Sequence, residues 1–126
     1  LRDDDVLARE IVDAAFAVHK ALGPGLLESV YEQCLSYELQ TRGQAHQTQV
    51  GLPIRYRDIT IGEGYRMDMV VGGLVIVEIK ATAETLPIHQ AQLLTYLKLS
   101  GIRVGLLINF NVVLIKQGIR RVMNGF

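Results

Sequence analysis

Apolar residues return every third or fourth position at Ile11, Ala14, Ala15, Val18 and Leu22, which is the spacing of one helical face. This pattern predicts a first helix over residues 6–22, with Asp3, Asp4 and Asp5 as N-cap candidates. Gly23, Pro24 and Gly25 must end it, because proline lacks a backbone donor and glycine leaves the chain unrestrained. A second helix is expected over residues 26–42, closing before Gly43 and burying Leu27, Val30, Tyr31, Cys34 and Leu35.

Beyond Gly43 the period changes from helical to extended. A short strand is expected over residues 49–56, placed at an edge or bulged by Pro53 and followed by turn chemistry at Arg57 and Asp58. Residues 65–71 and 74–81, joined by Gly72 and Gly73, read as a β-hairpin whose second arm is almost continuously apolar up to Glu78. Residues 87–100 are helical, with Pro87 in the first turn and Gly101 past the end. Residues 104–110 and 112–116 read as two more strands, the first apolar enough to be central. A strand, a helix and a further apolar strand call for a right-handed crossover that makes the two strands parallel. The expected fold is α/β, a mixed β-sheet flanked by helices, in a single domain over residues 1–126 with no repeat or linker.

Composition narrows the chemistry. Nearly half of the 126 residues are apolar, enough for one continuous core. Thirteen basic residues balance thirteen acidic ones, so attraction to a polyanion has to come from a local patch. Cys34 is the sole cysteine, which excludes an internal disulfide or a multi-cysteine metal centre and favours a reducing compartment, with the cytoplasm as the expectation. No apolar run reaches the roughly 20 residues of a membrane span, so no membrane role is expected, and the acidic start is unlike a signal peptide.

Glu78 and Lys80 interrupt an apolar strand two positions apart and therefore share a face. An isolated Glu-x-Lys is more often an ion-paired strand end. Asp68 changes that reading, because a second acid stands among apolar residues on the other arm of the same hairpin. Two carboxylates aimed at one point repel unless a proton or cation lies between them, and hard oxygen ligands suit Mg²⁺ or Mn²⁺. A lysine beside the ion can stabilise charge developing on an attacked phosphate. The register is demanding, however. A two-residue Gly72-Gly73 loop pairs Val71 with Leu74 and sets Asp68 opposite Val77, so a shared ion requires an odd loop or a bulge.

Asp68 followed by Glu78-Ile79-Lys80 resembles the Asp…(Asp/Glu)-x-Lys signature of the PD-(D/E)XK nuclease superfamily, with Met67 where the name has proline. Gly25-Leu26-Leu27-Glu28-Ser29-Val30-Tyr31 resembles the motif of the small GxxExxY proteins. Gln92-Leu93-Leu94-Thr95-Tyr96 is similar to the QxxxY motif of RecB-like nucleases, and Gly105 to Phe110 to the closing strand of the GxxExxY proteins. The resemblance implies a restriction-endonuclease-like core in the order α-β-β-β-α-β and metal-dependent phosphodiester hydrolysis by activated water. It implies Asp68, Glu78 and Glu28 as metal ligands, and Lys80 and Gln92 as further catalytic residues. Nucleic acid is the implied partner, DNA ahead of RNA, with Mg²⁺ or Mn²⁺ as cofactor and a homodimer as a means of reaching both strands.

Read from the residues alone, Glu28 more simply serves the helix dipole, and His89 more simply marks a helix start. His89, Gln92 and Tyr96 share a helical face, and His89 and Tyr96 with Arg66 are the candidates for contact with substrate. Arg55 and Arg57 beside Arg66, and Lys116, Arg120 and Arg121 near the C-terminus, either track phosphates or are ordinary surface charge. Tryptophan is absent, which argues against an extended base-stacking platform. The rival class is a non-catalytic binding or regulatory module on the same fold.

Overall fold

The computed structural model describes residues 2–62 and 64–125. Helices α1 (Asp3–Leu22) and α2 (Glu28–Thr41) form, α1 burying Leu7, Ile11, Ala14, Ala15 and Val18, and α2 burying Tyr31, Leu35 and Leu39. Leu27 is the N-cap of α2, outside the helical face, and is exposed, and Val30 and Cys34 are half-buried. The N-cap of α1 is Arg2, not an aspartate, and Asp3, Asp4 and Asp5 lie inside the first turn. Arg103 takes the carboxylates of Asp4 and Asp5 at 2.6 Å and 3.1 Å, so they tie the helix to the sheet while complementing its positive end. The Tyr31 hydroxyl donates to the Gly23 carbonyl at 2.6 Å and accepts from the Leu26 N–H at 3.1 Å. Its ring stacks on Phe110 with centroids 4.6 Å apart, which clasps the turn between the two helices onto the core.

The expected strand over residues 49–56 is divided. β1 (His46–Gly51) ends before Leu52 and Pro53, and β2 (Ile54–Tyr56) pairs with β3 (Ile59–Ile61) as a separate ribbon across the turn at Arg57 and Asp58. Proline cannot donate to a ladder, so the break falls beside it. β4 (Arg66–Val71), β5 (Val75–Lys80), α3 (Pro87–Ser100) and β6 (Val104–Asn109) match the remaining expectations closely. The five-stranded sheet has the order β1-β4-β5-β6-β7, with β5 and β6 parallel and the other neighbours antiparallel.

Residues 112–116 are not a strand. They lead into a short helix α4 (Ile115–Gly118), and the last strand is β7 (Ile119–Met123), antiparallel to β6. The chain needs a helical turn to reverse onto β6. It passes so close to the Asn109 carbonyl that a Cβ on Gly118 would lie 2.1 Å from the oxygen, which only glycine permits. On one face of the sheet α1 and α2 cover Met69, Val71, Val77, Ile79, Leu106 and Ile108. On the other, Leu93, Tyr96 and Leu97 of α3 cover Val70, Ile76 and Leu107. Leu93 and Leu97 are fully buried, and truncating either to alanine costs about 2–5 kcal/mol.

Candidate active site

The hairpin that carries the acids turns on three residues. Val71 pairs with Val75, leaving Gly72, Gly73 and Leu74 as the loop, with Gly72 and Gly73 at φ 59° and 69° and the Leu74 N–H bonded to the Val71 carbonyl at 3.0 Å. Met69 pairs with Val77 in this register, so the next positions, Asp68 and Glu78, stand opposite each other. The odd loop that a shared ion requires is present.

At that point the sheet forks. The β4–β5 pairing stops at Met69 and Val77, and the β1–β4 pairing omits Gln49 and Asp68. Gln49 has φ 51°, and its carbonyl is engaged by the Arg66 guanidinium at 3.2 Å. Side chains replace the ladder: the Asp68 N–H donates to Glu78 Oε2 at 2.8 Å, and the Ile79 N–H donates to Asp68 Oδ2 at 2.8 Å. Strict alternation breaks here too, since Met67 packs with Ile76 and Leu93 while Met69 and Val71 pack beneath α1 and α2. A backbone N–H from each strand thus holds the carboxylate of the other in a fixed pose. Among the described residues, Asp68 Oδ1 and Glu78 Oε1 accept no hydrogen bond.

Glu78 is 7% exposed. Burial first, and then the Asp68 carboxylate, push its pKa from 4.5 up to about 8, against the Asp68 N–H and Lys80, which favour the charged form. Lys80, half-buried, stands two residues further along β5 beside Asn109 of β6. Among the described residues, no three His, Cys, Asp or Glu side chains converge as a metal site. The pair alone nevertheless fits a hard divalent ion that takes one or two protein carboxylates and completes its shell with water and phosphate.

Glu28, the first residue of α2, is exposed. One turn on, Glu32 faces the fork. Burial first raises its pKa, with Asp68 and Glu28 adding to the rise, while Gln49 Nε2 donates to Glu32 Oε1 at 2.8 Å and opposes it. Neither Glu32 nor Gln49 was singled out from the sequence; the i,i+4 spacing of Glu28 and Glu32 was the available signal. Tyr96 is buried against the site, its pKa raised by burial and then by Glu78, Asp68 and Tyr65. Gln92 is exposed one turn before Tyr96. His89 caps its own helix: its N–H donates to the Leu86 carbonyl at 2.9 Å, and its Nδ1 accepts from the Leu86 N–H at 3.0 Å. Arg66 is exposed at the start of β4.

A mixed five-stranded sheet between helices, opened at a fork by two opposed acids with a lysine two residues on, defines an α/β domain of the restriction-endonuclease-like type. A family profile, the PD-(D/E)XK nuclease superfamily, matches residues 5–122, and the chain belongs to that superfamily. Its members are nucleases that generally use divalent metal ions, and nucleic acid is the implied substrate. No curated protein and no solved structure matches the chain. No helix among the described residues is long and apolar enough to cross a membrane.

Proposed function

We propose that this chain, acting as one domain, hydrolyses phosphodiester bonds in DNA with Mg²⁺ or Mn²⁺ held by Asp68 and Glu78. The observation that carries this reading is that the Asp68 and Ile79 backbone N–H groups at the fork each fix the carboxylate of the opposite strand, Glu78 and Asp68, while leaving Oδ1 and Oε1 open. When bound, the cation supplies Lewis acidity to a phosphate oxygen and lowers the pKa of water beside it. Glu78, protonated near neutrality without the ion, gives up its proton to bind it. Lys80 presents an ammonium on the same strand face as Glu78, where it stabilises charge gathering on the phosphate in the transition state. Glu32, held by Gln49, and Tyr96 border the site; Gln92, exposed one turn before Tyr96, orients the lysine or the attacking water, and His89 and Arg66 contact substrate. The Gly25 to Tyr31 segment supports placing the chain among the GxxExxY proteins, with Glu28 acting on the site through the field it exerts on Glu32. Two copies acting together would reach both strands of a duplex.

Calorimetric titration of Mg²⁺ and Mn²⁺ into the parent protein and into Asp68→Ala and Glu78→Gln, followed by incubation with DNA and RNA, tests the reading. The parent is expected to bind the ion and cut DNA, and Asp68→Ala to do neither. A parent that binds no divalent ion at millimolar concentration would instead favour a non-catalytic nucleic-acid-binding module.

A further inference from the structure

The β2–β3 ribbon is built unlike the rest of the molecule. Its pairs are Ile54 with Ile61, Arg55 with Thr60, and Tyr56 with Ile59. Cross-strand partners and alternate residues share a face, so Ile54, Tyr56, Ile59 and Ile61 form one apolar face and Arg55 and Thr60 the other. Every residue from Arg55 to Gly62 is exposed, and Tyr56, Ile59 and Ile61 are 60%, 56% and 51% exposed. A two-stranded ribbon with an uncovered apolar face is marginal in water, so an external surface must complete it. At the tip, Arg57 adopts φ 50° and lies over the Tyr56 ring, 5.3 Å from its centroid. The base is clasped by the Leu52 N–H bonded to the Tyr65 carbonyl at 2.9 Å, with Leu52 buried in the core. The arm therefore springs from the segment that enters β4 just before Asp68.

Two arguments choose what covers it. Its apolar face exposes on the order of 400 Å², so pairing two copies through it would bury roughly 800 Å² in total, below the ~1,000 Å² of a specific protein interface. Charge points the same way: among the described residues, Arg55, Arg57 and Arg66 are exposed along the arm and its base, against Asp58 alone. A two-stranded ribbon also matches the width of the major groove of a DNA duplex, where apolar side chains meet thymine methyl groups and flanking arginines reach phosphates.

We propose that the β2–β3 ribbon is a duplex-gripping arm that lies in the major groove of double-stranded DNA and sets the scissile strand against the fork. This rests on the nuclease reading and adds the form of the substrate. The arm and the carboxylate pair make separable contributions, one to holding the duplex and the other to cutting it.

Binding of a fluorescent DNA duplex and of the matching single strand is measured by anisotropy without divalent metal, for the parent, Arg55→Glu/Arg57→Glu and Tyr56→Ala/Ile59→Ser, with cleavage in Mg²⁺ run in parallel. Circular dichroism establishes that each variant is folded, and a variant with only Arg57→Gln stands in for one that is not. Each double variant is expected to weaken duplex binding by about tenfold or more, to raise KM by the same factor and to leave kcat within about threefold. Single-strand binding should change far less. Unchanged duplex binding, or a parent that does not bind duplex, overturns the proposal. So does a parent that sediments as a dimer and falls apart in Tyr56→Ala/Ile59→Ser, since the ribbon is then an interface between copies. Arm-dependent duplex binding without any cleavage upholds the arm and refutes the nuclease reading.

Discussion

Two charged clusters anchor β-strands in this molecule, and they are organised in opposite ways. At the start of α1, Asp4 and Asp5 meet Arg103 and Arg121, so each carboxylate has a guanidinium within salt-bridge distance. The hydrogen bond from Arg103 leads in holding the Asp4 carboxyl below its usual range. At the fork, Asp68 and Glu78 face each other, Glu32 adds a third acid nearby, and Lys80 is the cation that favours the charged form of Glu78. There the Glu78 pKa rises to about 8. The first cluster has its counter-charges built in and holds the helix to the sheet. In the second, burial and the neighbouring acid keep a proton on Glu78 that a cation from outside would replace, which is the electrostatic mark of a site.

The sharpest way to break this contrast is to remove Lys80. An ammonium cannot ligate a cation and repels it, so Lys80→Ala should keep or slightly tighten Mg²⁺ binding while slowing cleavage by about two orders of magnitude or more. Asp68→Ala should lose both. Calorimetric affinity beside cleavage rate separates the two, and a Lys80→Ala protein that cuts as fast as the parent would leave the lysine without a catalytic role.

The clusters should also respond to pH with opposite signs. Glu78 holds its proton in the fold up to about pH 8 but loses it near 4.5 when unfolded, so without metal its contribution to stability is present below 4.5 and fades as pH rises to 8. Glu78→Gln should then stabilise the metal-free fold by several kcal/mol at pH 9 and hardly at all at pH 4. Urea unfolding at the two pH values measures it; equal gains at both would contradict the raised pKa. Asp4 runs the other way, because its lowered pKa gives stability above about 3.8 that disappears as pH falls. Arg103→Ala should lower the melting temperature by several degrees at pH 7 and flatten the loss of stability on acidification. A melting temperature equal to that of the parent would remove the structural role of that cluster.

Smaller effects are expected at the rim. Glu32→Gln removes one acid near the pair without taking away the hydrogen-bond partner of Gln49, and should weaken Mg²⁺ binding by only a few-fold. A complete loss of binding would promote Glu32 to a direct ligand. Added Mg²⁺ should raise the melting temperature of the parent and not that of Asp68→Ala, since only an ion bound to the folded state stabilises it.

Much of this architecture was legible along the chain because local rules govern it. Pro87 and Gly101 bracket α3, the helical spacing marks Ile11, Ala14, Ala15 and Val18 of α1 and Tyr31 and Leu35 of α2 as buried, and a period of two places Glu78 and Lys80 on one face of a single strand. Residues 112–116 misled because a short apolar, β-branched run carries no record of whether a partner strand is within reach. The chain had first to turn at α4 before β7 could pair with β6.

The site itself was decided by tertiary structure. The sequence by itself determined which acids and which lysine stand in the hairpin. Gly72 and Gly73 suggest a two-residue loop, yet Leu74 joins it, and that single residue moves Asp68 from opposite Val77 to opposite Glu78. The two glycines permit either length, and the folded hairpin takes the one that pairs Val71 with Val75. Glu32 and Gln49 likewise become part of the site only because α2 lies against the sheet and β1 kinks beside Asp68. Electrostatic fields act through space, and distance in space is what a sequence does not record until the chain has folded.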